Sequence, residues 1–134
     1  MRVLVTGGAG YIGSHACKEL HSGGHTPIVF DNLERGHANA VKWGKLIEGD
    51  LRDEVAIETV LSTEDIDAVM HFAAYAYVGE SIFEPRMYVE NNLMGTTNLL
   101  HSMSENGVRR LIFSSTCAVY GTPKSSPVSE NHSI

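Results

Sequence analysis

The feature that most constrains this chain is a glycine cluster set between an apolar run and a helical pattern. Residues 2–6 (RVLVT) are short, apolar and β-branched, and Gly7-Gly8-Ala9-Gly10-Tyr11-Ile12-Gly13 follows at once. An apolar run bounded by glycines reads as a buried strand. Residues 11–22 then read as a helix, with Ile12, Ala16 and Leu20 recurring every four residues and Gly23-Gly24 ending it. Gly8, Gly10 and Gly13 satisfy G-x-G-x-x-G, and Gly7, Gly10 and Gly13 satisfy G-x-x-G-x-x-G. Between a strand and a helix, such glycines permit a tight turn, close approach of the backbone to a pyrophosphate, and close packing of helix on sheet. The helix start adds unpaired N–H groups and a partial positive charge facing the phosphates.

The alternation continues along the chain. Residues 27–31 (PIVFD) predict a second strand and 45–49 (KLIEG) a third. Asp53 caps a helix over about 54–62, and 67–73 (DAVMHFA) predict a fourth strand. Ser81-Ile82-Phe83-Glu84 has the form of a capping box and opens a long helix over 81–105, with Pro85 tolerated in the first turn and Asn106-Gly107 ending it. Residues 108–115 (VRRLIFSS) predict a fifth strand, and 121–134 a loop. Strands alternating with helices imply an α/β fold with a doubly wound parallel sheet. The expected strand order is 3-2-1-4-5, with ligands at the carboxyl ends of the strands. No internal boundary is visible, so residues 1–134 are expected to be one dinucleotide-binding unit.

Asp31 ends the second strand eighteen residues after Gly13. A carboxylate there accepts both hydroxyls of an adenosine ribose and repels a 2′-phosphate, so NAD is expected rather than NADP. Arg35 is a cation within reach of a 2′-phosphate, but Asp31 is better placed.

Composition excludes other classes. The net charge is −6 and the basic residues are scattered, which argues against a nucleic-acid partner. No stretch approaches the roughly 18–20 apolar residues of a membrane span, and no signal peptide is read at the N-terminus. Cys17 and Cys117 form neither a disulfide framework nor a metal-ligand spacing, in keeping with a reducing cytoplasm. His21 and His25 are separated by Gly23-Gly24, so no metal site is expected. Ile82, Val89, Leu93 and Leu100 make an apolar stripe on the helix over 81–105, and a homodimer through that helix is the expected assembly.

The segments TGGAGYIGSH, VFDN, EGDLRD, HFAA, VGES, NN-x-x-GT and FSS-x-x-AVYG, in this order, resemble the extended short-chain dehydrogenase/reductase family. Within it the chain is most similar to the UDP-sugar (UDP-glucose/UDP-galactose) 4-epimerases, over its whole length. The resemblance implies NAD contacts at Gly7, Gly8, Gly10, Tyr11, Ile12 and Gly13 in the loop and at Asp31 and Asn32 after the second strand. It implies further contacts at Asp50 and Leu51 around the adenine, and at Phe72, Ala73 and Ala74 after the fourth strand. Asn91 would meet the nicotinamide ribose and Ser114 the cofactor at the end of the fifth strand. Thr116 matches the hydroxyl that hydrogen-bonds the substrate's 4-oxygen, and it is the one catalytic residue expected here. Tyr120 matches a packing position.

Two departures stand out. A Lys that helps neutralise the pyrophosphate in many epimerases is Ala76 here, and the catalytic Tyr-x-x-x-Lys is expected to open a helix shortly beyond Ile134. Tyr120 and Lys124 fit that spacing formally, but Gly121 and Pro123 lie between them. Related dehydratases carry Asp-Glu directly after the Thr; Cys117 and Ala118 here supply neither acid nor base, which speaks against dehydration and less firmly against decarboxylation. A non-catalytic NAD-binding module and another nucleotide-sugar enzyme, such as a UDP-pentose or UDP-uronate 4-epimerase, remain open as further readings.

Overall fold

The structure is a computed structural model that describes residues 1–132; of the expected loop over 121–134, the last two residues lie outside the described residues. Five strands form one parallel sheet: β1 (Arg2–Thr6), β2 (Thr26–Asp31), β3 (Lys45–Glu48), β4 (Ala68–His71) and β5 (Leu111–Phe113). Their order is β3-β2-β1-β4-β5, as expected. The order reverses between β1 and β4, which run in register from Val3↔Ala68 to Thr6↔His71. Beyond His71 the residues Phe72–Ala74 leave the sheet, so β4 ends earlier than residue 73, and β5 holds only the centre of the expected 108–115 run.

Helices cover both faces. On one face α2 (Glu54–Thr63) and α5 (Gly95–Glu105) pack Ile57, Val60, Leu61, Leu99 and Met103 against Leu4, Ile28, Phe30 and Val69. Burying each large aliphatic side chain contributes about 1.5–3 kcal/mol, so this layer anchors the sheet. The Asp53 carboxylate accepts from the N–H groups of Val55 and Ala56, capping α2 as expected. On the other face α1 (Tyr11–Ser22) lays Cys17 against Val3, Val5 and Val29.

The seam of α1 differs from the expected one. Gly13, Ser14 and Cys17 face the sheet, while Ile12 is 61% exposed. The helix lies so close to the glycine turn that only small residues fit beneath it, and Ile12 is turned away from that face.

The helix expected over 81–105 is also broken. A short helix α3 (Val78–Phe83) ends at Glu84, and α4 (Pro85–Tyr88) starts afresh. A π-helical stretch over Val89–Met94 then leads into α5. Ser81 caps nothing: its hydroxyl donates to the Val78 carbonyl at 2.7 Å. The cause is Pro85, which pushes the preceding residue out of the helical region; Glu84 sits at φ −123°, ψ 54°. Pro85 is then well placed at the first position of the new helix. The apolar side chains expected on this element, Ile82, Val89, Leu93 and Leu100, are all exposed.

Candidate functional site

The glycine turn is fixed by backbone contacts. Gly7 has φ +70°, and a Cβ there would stand 2.7 Å from the Ala73 nitrogen, so β1 and the segment after β4 touch through an absent side chain. A Cβ on Gly13 would lie 2.2 Å from the Gly7 carbonyl oxygen. These two contacts bring the first turn of α1 over the carboxyl end of β1. The N–H groups of Tyr11, Ile12 and Gly13 find no backbone acceptor among the described residues, as expected for a first helical turn, and they remain open to a bound anion.

Asp31 is 8% exposed and is held from both sides. One carboxylate oxygen accepts from the Ala9 N–H at 3.0 Å and the other from the Leu33 N–H at 2.9 Å. A carboxylate has about four lone-pair positions, so one on each oxygen is left for a further donor. The second contact is an Asx turn, and Asn32 makes another by accepting from the Glu34 N–H at 3.0 Å. The paired turns bend residues 32–36 across the end of the sheet, with Leu33 at φ 58°.

Two adjoining recesses open along the carboxyl ends of the strands. The first is lined by Gly7, Gly10, Asp31, Asn32, Arg35, Leu51, Phe72, Ala73, Ala74, Tyr75 and Asn91, together with Phe30, Gly36 and Gly49. The second, about 590 Å³, shares Phe72–Tyr75 and adds His71, Asn92, Ser114 and Thr116. Most of the expected residues therefore gather in adjoining recesses at the point where the strand order reverses. Gly8 and Gly13 lie behind its wall, and Tyr11 and Ile12 stand at its edge, exposed. Asp50 turns aside: it binds the Arg52 side chain and accepts from the Asn32 amide at 2.9 Å. The hydrogen bonds from Arg52 hold its carboxyl well below the usual carboxylate range.

Thr116 opens a 3-10 turn over Cys117–Tyr120, its hydroxyl oxygen accepting from the Ala118 N–H at 3.2 Å. Ser114 continues the β4–β5 ladder by donating its N–H to the His71 carbonyl at 3.1 Å. Tyr120 stacks edge-on with His132, and Gly121 at φ +62° follows, so Tyr120 and Lys124 share no helix. His71 bonds within the fold, to the hydroxyls of Thr6 at 2.6 Å and Thr96 at 2.9 Å. Burial lowers its pKa to about 4.

Several residues of the cleft were not foreseen. Asn92 clamps the backbone of Tyr75 at both ends, accepting from its N–H at 2.8 Å and donating to its carbonyl at 2.9 Å. Asn91 and Asn92 both reach the cleft because the π-helical stretch splays successive side chains differently from an α turn. The Asn-Asn pair was visible in sequence, but the π turn that aims it was not. The Tyr75 hydroxyl donates to Glu34 at 2.5 Å, and burial pushes its pKa up to about 12, helped by that carboxylate. No local pattern links residues 34 and 75.

Residues 3–134 match the model of the NAD dependent epimerase/dehydratase family. The UDP-glucose 4-epimerase of Rhizobium leguminosarum bv. trifolii is 48% identical over 130 residues, which are 97% of this chain and 40% of that protein. The crystal structure of UDP-glucose 4-epimerase from Brucella ovis in complex with NAD is 46% identical with a TM-score of 0.89, over 96% of this chain and 40% of that one. The Bifidobacterium longum UDP-glucose 4-epimerase in complex with NAD+ and UDP is 43% identical with a TM-score of 0.83, over 98% and 42%. The chain thus spans about 40% of the length of the relatives it matches. The expected cofactor, NAD, is the one named by the family's description and present in both of these solved neighbours. With its parallel sheet, its glycine turn and this family match over nearly its whole length, the chain belongs to the NAD dependent epimerase/dehydratase family.

Proposed function

We propose that this chain is the NAD-binding portion of a UDP-sugar 4-epimerase acting on UDP-glucose and UDP-galactose, with a place in galactose metabolism. The observation that carries the reading is the cleft itself. Three open N–H groups at a helix start and a buried carboxylate with one free lone-pair position on each oxygen suit a pyrophosphate and an adenosine ribose in turn. In this assignment residues 7–13 hold the pyrophosphate and Asp31 and Asn32 the adenosine ribose. Asp50 and Leu51 flank the adenine, Phe72, Ala73 and Ala74 form the floor, and Asn91 and Ser114 meet the nicotinamide end. Bound NAD supplies the hydride acceptor and donor for carbon 4 of the sugar.

Thr116 is assigned to the sugar's 4-oxygen. Its hydroxyl donates to that oxygen as it becomes a ketone and relays the proton. An unassisted hydroxyl is too weak a base to remove that proton at neutral pH, and the family's Tyr-x-x-x-Lys helix is absent from this sequence. The chain alone therefore binds NAD and does not turn over UDP-galactose. The exposed Ile82, Val89, Leu93 and Leu100 support association of two copies through the 81–105 region. A cytoplasmic setting is assigned on the two unpaired cysteines.

Calorimetric titration with NAD and NADP, followed by a coupled assay with UDP-galactose, tests the reading. Tighter binding of NAD than of NADP and no turnover are expected; equal or tighter NADP binding removes the role given to Asp31. In a protein joining this segment to its Tyr-x-x-x-Lys helix, Thr116→Ser keeps most activity. Thr116→Val loses about 10²–10⁴-fold, the usual cost of one positioned proton-transfer group.

A further inference from the structure

Arg35 is the one cation among the described residues lining the first recess, which it shares with Asp31. A guanidinium there has the shape and charge to grip a 2′-phosphate with two parallel hydrogen bonds. In the structure it is engaged elsewhere. One guanidinium nitrogen donates to both oxygens of Glu80, at 2.9 and 2.8 Å. Its Cζ lies 3.9 Å from the centre of the Tyr75 ring and 5.6 Å from that of Tyr77. Each of these partners is itself pinned. Glu80 also accepts from the Tyr88 hydroxyl at 2.6 Å. Tyr75 is tied to Glu34 through its hydroxyl and to Asn92 through its backbone. The loop after β2 and the segment after β4 are thus joined across the mouth of the recess, and the cation is neutralised on the β4 side.

We propose that Glu80 is a cofactor-selectivity residue: it holds Arg35 against Tyr75 and so denies a 2′-phosphate its only cationic partner in the recess. The proposal rests on the NAD-binding reading above and extends it to a residue outside the adenosine pocket. With Arg35 so held, a 2′-phosphate entering beside Asp31 meets one buried carboxylate with Glu34 close by and no free positive charge, while a ribose hydroxyl meets an acceptor. Selectivity then has two layers. Asp31 repels the phosphate directly, and Glu80 withdraws the group that offsets this repulsion, a use of an unfavourable contact against the wrong ligand. The Arg35–Glu80 pair is about one-third exposed on each side, so its hold is modest and one substitution releases it.

The experiment is a titration of the purified chain with NAD and with NADP, comparing wild type, Glu80→Gln, Arg35→Ala and the double variant. Glu80→Gln keeps an oxygen for the Tyr88 hydroxyl but loses the charge. In it NADP binding should tighten about two- to fivefold relative to NAD, the scale of freeing one partly exposed ion pair. The double variant should return to the wild-type ratio, and Arg35→Ala alone should leave that ratio nearly unchanged. If the wild type prefers NAD and Glu80→Gln keeps the same ratio, the proposal is overturned and the NAD reading stands. If the shift persists in the double variant, Arg35 is not the released group and the proposal is likewise overturned. If the wild type binds no NAD, both fall together.

Discussion

The two arms of the sheet are built on different terms. In the β1–β2 arm Val5 and Val29 are fully buried, and the glycine turn is closed by backbone contacts that leave no room for one added carbon. In the β4–β5 arm Ile112 and Phe113 are more than half exposed, and Ser114, Ser115 and Thr116 stand on an open strand end. A wide recess of about 510 Å³ runs along that arm beside α1, lined by Val3, Leu20, Met70, Leu111 and Ile112. The cleft beside Asp31 thus gets its geometry from atoms within this chain. Among the described residues, the strand that leads to Thr116 leaves its outer surface uncovered.

The sharpest way to break this comparison is at Gly13. Gly13→Ala puts a carbon against the Gly7 carbonyl, where no flexible side chain can yield, so it should lose roughly 2–4 kcal/mol of stability in denaturant unfolding. A loss below about 1 kcal/mol would show that the turn is softer than its contacts imply.

The seam between the arms is sharpened by His71, which links Thr6 of β1 to Thr96 of α5. The fold holds this imidazole neutral, at a pKa of about 4 against an ordinary 6.5. The unfolded chain therefore takes up a proton that the folded chain refuses. This contribution is complete above pH 6.5 and is lost as pH falls toward 4; across that window it is on the order of 3 kcal/mol. His71→Gln should flatten the decline between about pH 7 and about pH 4.5 relative to wild type, measured by unfolding midpoints. An unchanged slope would place the acid sensitivity in the carboxylates alone.

The smallest effect belongs to the open arm. Ile112→Ser should change stability by under about 0.5 kcal/mol, because its side chain is already 59% exposed. A cost of several kcal/mol would mean that this surface is buried in solution, through association of the chain with itself.

Sequence alone made the β1–β2 arm legible because its signals are local. A strand that runs into glycines and a carboxylate that ends the next strand have one common structural meaning, and the strand order followed from alternation. The reading was poorer wherever a residue's role depends on a distant partner. The sequence pattern tolerates Pro85 within a helix begun at Ser81, whereas its effect on Glu84 starts the helix anew. Ile12 fitted an apolar stripe, but the close approach of α1 to the turn reserves that face for Gly13 and Cys17. The tie from Arg35 to Glu80 spans 45 residues of sequence, and no periodicity points to it. Asn91 and Asn92 carried a family resemblance, but only the π turn shows why both face one cleft.

The parallel register of β1 also sets an order of events during synthesis. Its partner on one side, β2, is complete at Asp31, while its partner on the other, β4, is complete only at His71, some forty residues later. At about 5–20 residues per second of translation, β1 spends a few seconds with one edge bare. That edge belongs to the strand that carries Val3 and Val5, and it ends at the glycine turn. The strand that leads into the glycine turn is thus the first to be made but is enclosed only after β2, so nascent chains are open to mispairing at the centre of the future sheet as well as at its rim.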